Sequence, residues 1–166
     1  MASLLTNPTI TTGRDQVYVA SLPLRARKGP AQLLLSAVYS LNLWDFQHFM
    51  VIIKPHLPPP HDSQALVYDF QPKDPENLYV ALAVLSGKAV EGAVLNRKLP
   101  KLPRSKCWFI GYCKGNAIDV ACEFNKNWET NLRVGRHDCR NYTNGLVESL
   151  TGEKYVLERL RTSTGV

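Results

Sequence analysis

Residues Arg136 to Gly145 read RHDCRNYTNG, and the cysteine at their centre stands where a thiol can become reactive. Asp138 is a strong N-cap residue, so Cys139 falls on the first position of a helix, beside unpaired N–H groups and the positive end of the helix dipole. That setting favours thiolate over thiol. A free cysteine is mostly protonated at neutral pH, and lowering its pKa by one unit requires about 1.4 kcal/mol of preference for the charged form. The helix terminus supplies part of this, and a nearby imidazolium can supply the rest. The competing reading is structural, because cysteine is among the most buried residue types and Cys139 lies on an apolar helical stripe.

Four histidines could serve as the partner: His48, His56, His61 and His137. His48 sits inside the apolar stretch QHFMVIIK and shares a face with Phe46, Met50 and Ile52, where an imidazole is costly without a hydrogen-bond partner. His56 and His61 flank three consecutive prolines in a loop. His137 precedes Cys139 by two residues and is expected to point elsewhere, at the entry to the cap.

The elements that must position these groups are strands first and helices last. QVYVASLPL (16–24) alternates apolar and polar positions and ends at a basic Gly-Pro turn. QHFMVIIK reads as a buried strand closed by Pro55, and ALVYDF as its hairpin partner across the loop HLPPPHDSQ. The stretch from Asn77 to Leu99 is open between helix and strand, since its alanines favour helix while Gly87 and Gly92 interrupt it. KCWFIGYC is a short strand. Ala117, Val120, Ala121, Phe124 and Trp128 then form one stripe of an amphipathic helix. Cys139, Tyr142, Leu146 and Leu150 form the stripe of a second, with Gly152 as its C-cap. KYVLERL is a short helix before a loose tail. This inventory argues an α+β fold with an antiparallel sheet and packed helices.

At 166 residues the chain fits one domain. The expected organisation is a flexible terminus over 1–15, one domain over 16–160 and a flexible tail over 161–166. Apolar residues are 45% and charged residues 20%, and no apolar run is long enough to span a bilayer. The opening MASLLTNPTITTGRDQ lacks the charged and apolar regions of a secretory signal, so reduced thiols and a cytoplasmic setting are expected. Its Ser/Thr content and Arg14 leave a chloroplast or mitochondrial address as the alternative.

The net charge of +6 suits an anionic or membrane-associated partner. Its Lys and Arg fall in small groups without regular aromatic interleaving, which argues against nucleic acid as the main partner. Cys107 and Cys113 with His56 and His61 match no common zinc spacing, so neither metal nor cofactor is expected. Asn141-Tyr142-Thr143 is a glycosylation sequon that carries no meaning without secretion. Trp44, Trp108 and Trp128 read as core or groove-lining residues.

A His on an early core strand, a following strand, and much later a Cys opening a helix make up a chain order that resembles the circularly permuted papain-like thiol enzymes. These are a branch of the NlpC/P60 superfamily that includes lecithin retinol acyltransferase-like proteins and PPPDE peptidases. DCRNYTNGL resembles the cysteine motif, with Tyr142 in its aromatic position, and QHFMVIIKP resembles the histidine strand. The resemblance spans roughly residues 44 to 152. It implies Cys139 as nucleophile and His48 as base, acting on a carbonyl through a thioester.

The sequence departs from the motif in three places. Asp138 replaces the usual Asn, Arg140 and Asn141 replace an acidic residue and a His, and the strand ALVYDFQP lacks the second His of the acyltransferase-like members. The orienting role then falls to Asp69, with Gln71 and His61 as alternatives. The expected function is a small thiol hydrolase or acyltransferase acting on an amide, isopeptide, thioester or lipid ester of a protein or lipid acyl substrate. The alternative is a non-catalytic binding or assembly factor that keeps the fold.

Overall fold

The computed structural model describes residues 13–23, 47–57 and 64–164. Their architecture is α+β, one antiparallel six-stranded sheet with helices packed against it. The strands are β1 (Gln16–Pro23), β2 (Gln47–Lys54), β3 (Ala65–Pro72), β4 (Val90–Leu99), β5 (Cys107–Tyr112) and the two-residue β6 (Asn131–Leu132), in the spatial order β5-β1-β2-β3-β4-β6. The helices among the described residues are α1 (Leu78–Leu85), α2 (Ala117–Asn127), α3 (Cys139–Thr151) and α4 (Val156–Thr164).

Period-two alternation sorts each central strand onto two faces. Val17, Val19, Phe49, Val51, Ile53, Tyr68 and Phe70 point to the helices and join Leu146, Leu150 and Ala121 in the main core. Ala20, Met50, Ile52, Ala65 and Val67 point away and form a second apolar cluster, capped in part by Leu99 and Leu102. Burial on both faces explains why QHFMVIIK is an almost unbroken apolar run.

The expected strand and hairpin positions are those observed, with Leu24 lying outside the described residues. The stretch left open resolves into both possibilities. Asn77 accepts hydrogen bonds from the N–H groups of Tyr79 and Val80 to start α1. After it, Gly87 takes a left-handed φ of 75° to end the turn, and β4 follows. The two amphipathic stripes are α2 and α3. Gly152, at φ 81°, caps α3 as its position suggested.

One boundary needs correction. The sequence assigns 161–166 to a flexible tail, yet α4 continues through Thr164 because its hydroxyl residues bond back into the helix. The Thr162 hydroxyl donates to the Glu158 carbonyl, and those of Ser163 and Thr164 donate to that of Leu160.

The sheet is not evenly sewn. β1 and β2 pair along their whole length, from Gln16↔Lys54 to Pro23↔Gln47, and β3 and β4 do so from Ala65↔Leu99 to Pro72↔Gly92. Between them, β2 and β3 pair only at Val51↔Tyr68, Ile52↔Val67 and Ile53↔Leu66. Beyond Val51 and Tyr68 the two strands part. The amino end of α3 lies over this opening.

Candidate active site

His48 has the parity of Met50 and Ile52, and Asp69 that of Ala65 and Val67, so both belong to the sheet face turned away from the helices. If β2 and β3 were paired there, a residue on a helix could not reach them. Because the ladder stops at Val51↔Tyr68, Cys139 at the tip of α3 enters the gap from the helix side. Its Sγ lies 3.8 Å from the carbonyl oxygen of Gln47. The residue next to that carbonyl is His48, and the thiol lies near enough to its ring to raise the proton affinity of the imidazole.

On its other side the ring meets Asp69, with Nε2 2.8 Å from Oδ2. With Nε2 committed to the carboxylate, Nδ1 is the nitrogen left for the sulfur. His48 is 8% exposed and Asp69 2%. Burial works against a charged imidazole here. The hydrogen bonds to Asp69 and Cys139, and the charges of the same two groups, outweigh it and raise the His48 pKa from 6.5 to about 9. Asp69 Oδ1 is buried without a hydrogen-bond partner among the described residues, so the carboxylate is held by one oxygen.

The helix start that carries Cys139 is built as its sequence suggests. Asp138 accepts from the backbone N–H of Arg140, and the Asn141 side chain accepts from the N–H of Asp138, which completes a capping box. The anionic cap beside the thiol has a counterion. Arg140 places Nη2 2.9 Å from Asp138 Oδ2, and the N–H of Gly135 donates to the same oxygen at 2.7 Å. Burial pushes the Asp138 carboxyl up, but Arg140 and these N–H groups hold it below the ordinary range. Arg140, which counts as a departure from the motif in sequence, thereby neutralises the charge introduced by the other departure, Asp138.

The remaining candidates lie elsewhere. His137 stacks on Trp128 at 4.2 Å and 15°, its Nε2 2.7 Å from the Glu129 carbonyl. His56 is held in its turn by a backbone bond to Asp15. Gln71 does not meet the His48 ring, and His61, Trp44 and Phe46 lie outside the described residues. Cys113 is buried in the helix-side core while Cys107 borders the opposite cluster, so the sheet separates them. Among the described residues no three His, Cys, Asp or Glu side chains gather as metal ligands. Trp128 is partly buried against the core and also lines a groove of about 460 Å³, with Arg136, His137, Asn144, Glu148 and Tyr155. Cys139, His48 and Asp69 are not part of that groove.

Sequence reasoning did not single out Gln47, whose carbonyl faces the sulfur, or the role of Arg140. Gln47 adjoins His48 at the parting of β2, and its side chain is fixed by the Ser21 hydroxyl at 2.8 Å. The arrangement can hold a thiol against an imidazole whose tautomer is fixed by a carboxylate. Comparison with protein families, with curated proteins and with solved structures gave no match.

Proposed function

We propose that this protein is a small cysteine-dependent hydrolase or acyltransferase of the permuted papain-like kind, with Cys139 as nucleophile, His48 as base and Asp69 as the group that orients His48. The observation that carries this reading is the position of His48, bonded to Asp69 Oδ2 at 2.8 Å and next in the chain to Gln47, whose carbonyl lies 3.8 Å from the Cys139 sulfur. Nδ1 takes the thiol proton and the sulfur attacks the acyl carbon. The same nitrogen returns the proton to the departing amine, alcohol or thiol, leaving a thioester on Cys139. Water then releases the acid in a hydrolase, or an acceptor nucleophile takes the acyl group in a transferase. The N–H of Cys139, at the first helical position, has no intrahelical acceptor and in this reading donates to the carbonyl oxygen as negative charge develops on it. Substrates of this chemistry are protein or lipid acyl groups joined through amide, isopeptide, thioester or ester bonds.

One observation favours the second reading, a binding or assembly factor. The 460 Å³ groove runs along the other flank of α3 without reaching the sulfur. Alkylation separates the two. Cys122 is exposed and free, and its alkylation rate serves as the comparison within the same chain. At pH 6 an ordinary thiol is only about 0.3% thiolate, so a Cys139 paired with imidazolium should react with iodoacetamide at least about tenfold faster than Cys122. His48→Ala should remove that advantage. If Cys122 reacts first and Cys139 stays inert until the protein unfolds, the enzyme reading fails.

A further inference from the structure

From Gly92 to Ile118 the chain contains no Asp or Glu, and within that stretch it concentrates Arg97, Lys98, Lys101, Arg104 and Lys106. All five are exposed; Arg97, opposite Val67, belongs to the face turned away from the helices, and Lys98, opposite Leu66, to the other. Among the described residues Arg97, Lys98, Lys101 and Arg104 have no acidic partner, the Arg97 guanidinium lying instead 3.9 Å from Met50 Sδ. The strand order explains where this charge goes. β4 and β5 sit on opposite sides of β1, β2 and β3, so residues 100–106 must cross the sheet. The four inter-strand spacings amount to about 19 Å, within the roughly 27 Å that the eight steps from Leu99 to Cys107 can span. Leu102 packs on the cluster of Met50, Ile52 and Val67, which puts the crossing on the face away from the helices.

The same face exposes apolar side chains beside the cations. Leu22 is 41% exposed, and Phe109 and Tyr112 are each 49% exposed. Phe109 lies edge to face with Tyr18 at 66° and with Tyr112 at 70°, so these rings present edges rather than the free parallel faces on which bases stack. On the helix side the charges balance, residues 119–164 matching seven acids with seven cations, several of them in ion pairs such as Lys126 with Glu123 and Arg159 with Glu153. Among the described residues the unmatched positive charge therefore gathers at the crossing, on the partly apolar face that also bears His48 and Asp69.

We propose that this face docks the protein on an anionic lipid surface, with Arg97 and the crossing segment 100–106 lying against the headgroups and Leu22, Phe109 and Tyr112 at the interfacial level. Cations attract anionic headgroups over about a Debye length, and aromatic rings settle at the boundary between headgroup and acyl chain. Attachment is peripheral, since no helix among the described residues is long and apolar enough to cross a membrane. Docking in this orientation turns the parting of β2 and β3 toward the lipid. The attachment itself does not depend on Cys139 being reactive.

Vesicle flotation tests it. The protein is mixed with phosphatidylcholine vesicles, with and without phosphatidylserine, at low and high salt. We expect flotation with the phosphatidylserine vesicles only, weakening as salt rises. The variant carrying Arg97→Gln, Lys101→Gln and Arg104→Gln should lose about a hundredfold in partition, at about fivefold per cation. A variant of equal charge with Lys126→Gln, Lys154→Gln and Arg159→Gln, changed on the helix side, should float as the wild type does. Phe109→Ser should weaken flotation without altering its salt dependence. Equal flotation on neutral vesicles, no flotation on either kind, or the same loss in both charge variants overturns the proposal. So does retention on a single-stranded oligonucleotide that depends on the same three cations and exceeds vesicle binding. Each readout is obtained equally with Cys139→Ala, which keeps the outcome separate from the fate of the enzymatic reading.

Discussion

The pairing of His48 with Asp69 makes stability depend on pH in a direction that can be measured. His48 is raised from 6.5 to about 9 in the folded protein, against an unfolded value near 6.5. A raised imidazole stabilises the fold fully below pH 6.5, and this contribution disappears as pH climbs through 9. The interval between the two values corresponds to about 3 kcal/mol. His48 is only 8% exposed, so solvent screening takes little from that figure. Asp69→Asn keeps the shape and a hydrogen-bonding atom but removes the charge, and burial, the largest single influence on His48, then pulls its pKa down. Urea unfolding of wild type and Asp69→Asn should differ by about 2–3 kcal/mol more at pH 6 than at pH 9.5. The Cys139 share of the effect survives in both proteins, which is why the lower end of that range is included. Taking the difference between the two proteins cancels every other titrating group. A gap that stays constant from pH 6 to pH 9.5 would show that Asp69 does not hold the proton on His48, and the orienting role would be withdrawn.

Arg140→Gln frees a buried carboxylate beside the sulfur, so the alkylation rate of Cys139 at pH 6 should fall severalfold, and Asp138→Asn should restore it. Leu146 is fully buried where α3 meets the sheet, and Leu146→Ala should cost about 2–5 kcal/mol in denaturant unfolding. At Gly92 an added Cβ would lie 2.6 Å from the Phe70 ring and 2.9 Å from the Thr130 carbonyl oxygen, so Gly92→Ala should destabilise by about 1–3 kcal/mol by the same assay.

Much of this site is legible in sequence because it is assembled from local signals. An N-cap Asp, a helical stripe starting at Cys139 and a C-cap Gly are enough to place α3 within a residue. His48 stands out because a polar ring in an apolar strand requires a partner, and strand position makes Asp69 a candidate for that partner. What cannot be read locally is pairing. Nothing in QHFMVIIK or ALVYDFQP announces that their ladder will run for three pairs and stop, because ladder length depends on what wedges between the strands. The same holds for Arg140, whose meaning depends on the backbone turn that brings the Gly135 N–H and the guanidinium to one carboxylate. Residues 78–99 stayed ambiguous for a different reason. An Ala-rich helix and a strand lie back to back there, and their propensities blur across Gly87.

The parting of β2 and β3 also explains why helix and sheet both need to be rigid. Full pairing of β1 with β2 and of β3 with β4 fixes His48 and Asp69 on two separately braced hairpins. Their only direct link at the site is the 2.8 Å bond between side chains. Leaving the strand ends unpaired costs backbone hydrogen bonds. That cost brings a benefit a closed sheet could not offer, since a thiol borne on one face meets an imidazole borne on the other. Holding Cys139 there requires α3 to be seated firmly, which Tyr142, Leu146 and Leu150 achieve by full burial against β2 and β3. A core substitution such as Leu146→Ala should therefore lower Cys139 reactivity at pH 6 even at temperatures where the protein remains folded. If reactivity is unchanged while stability drops, the sulfur is positioned by the capping turn alone and the packing of α3 plays no part in its chemistry.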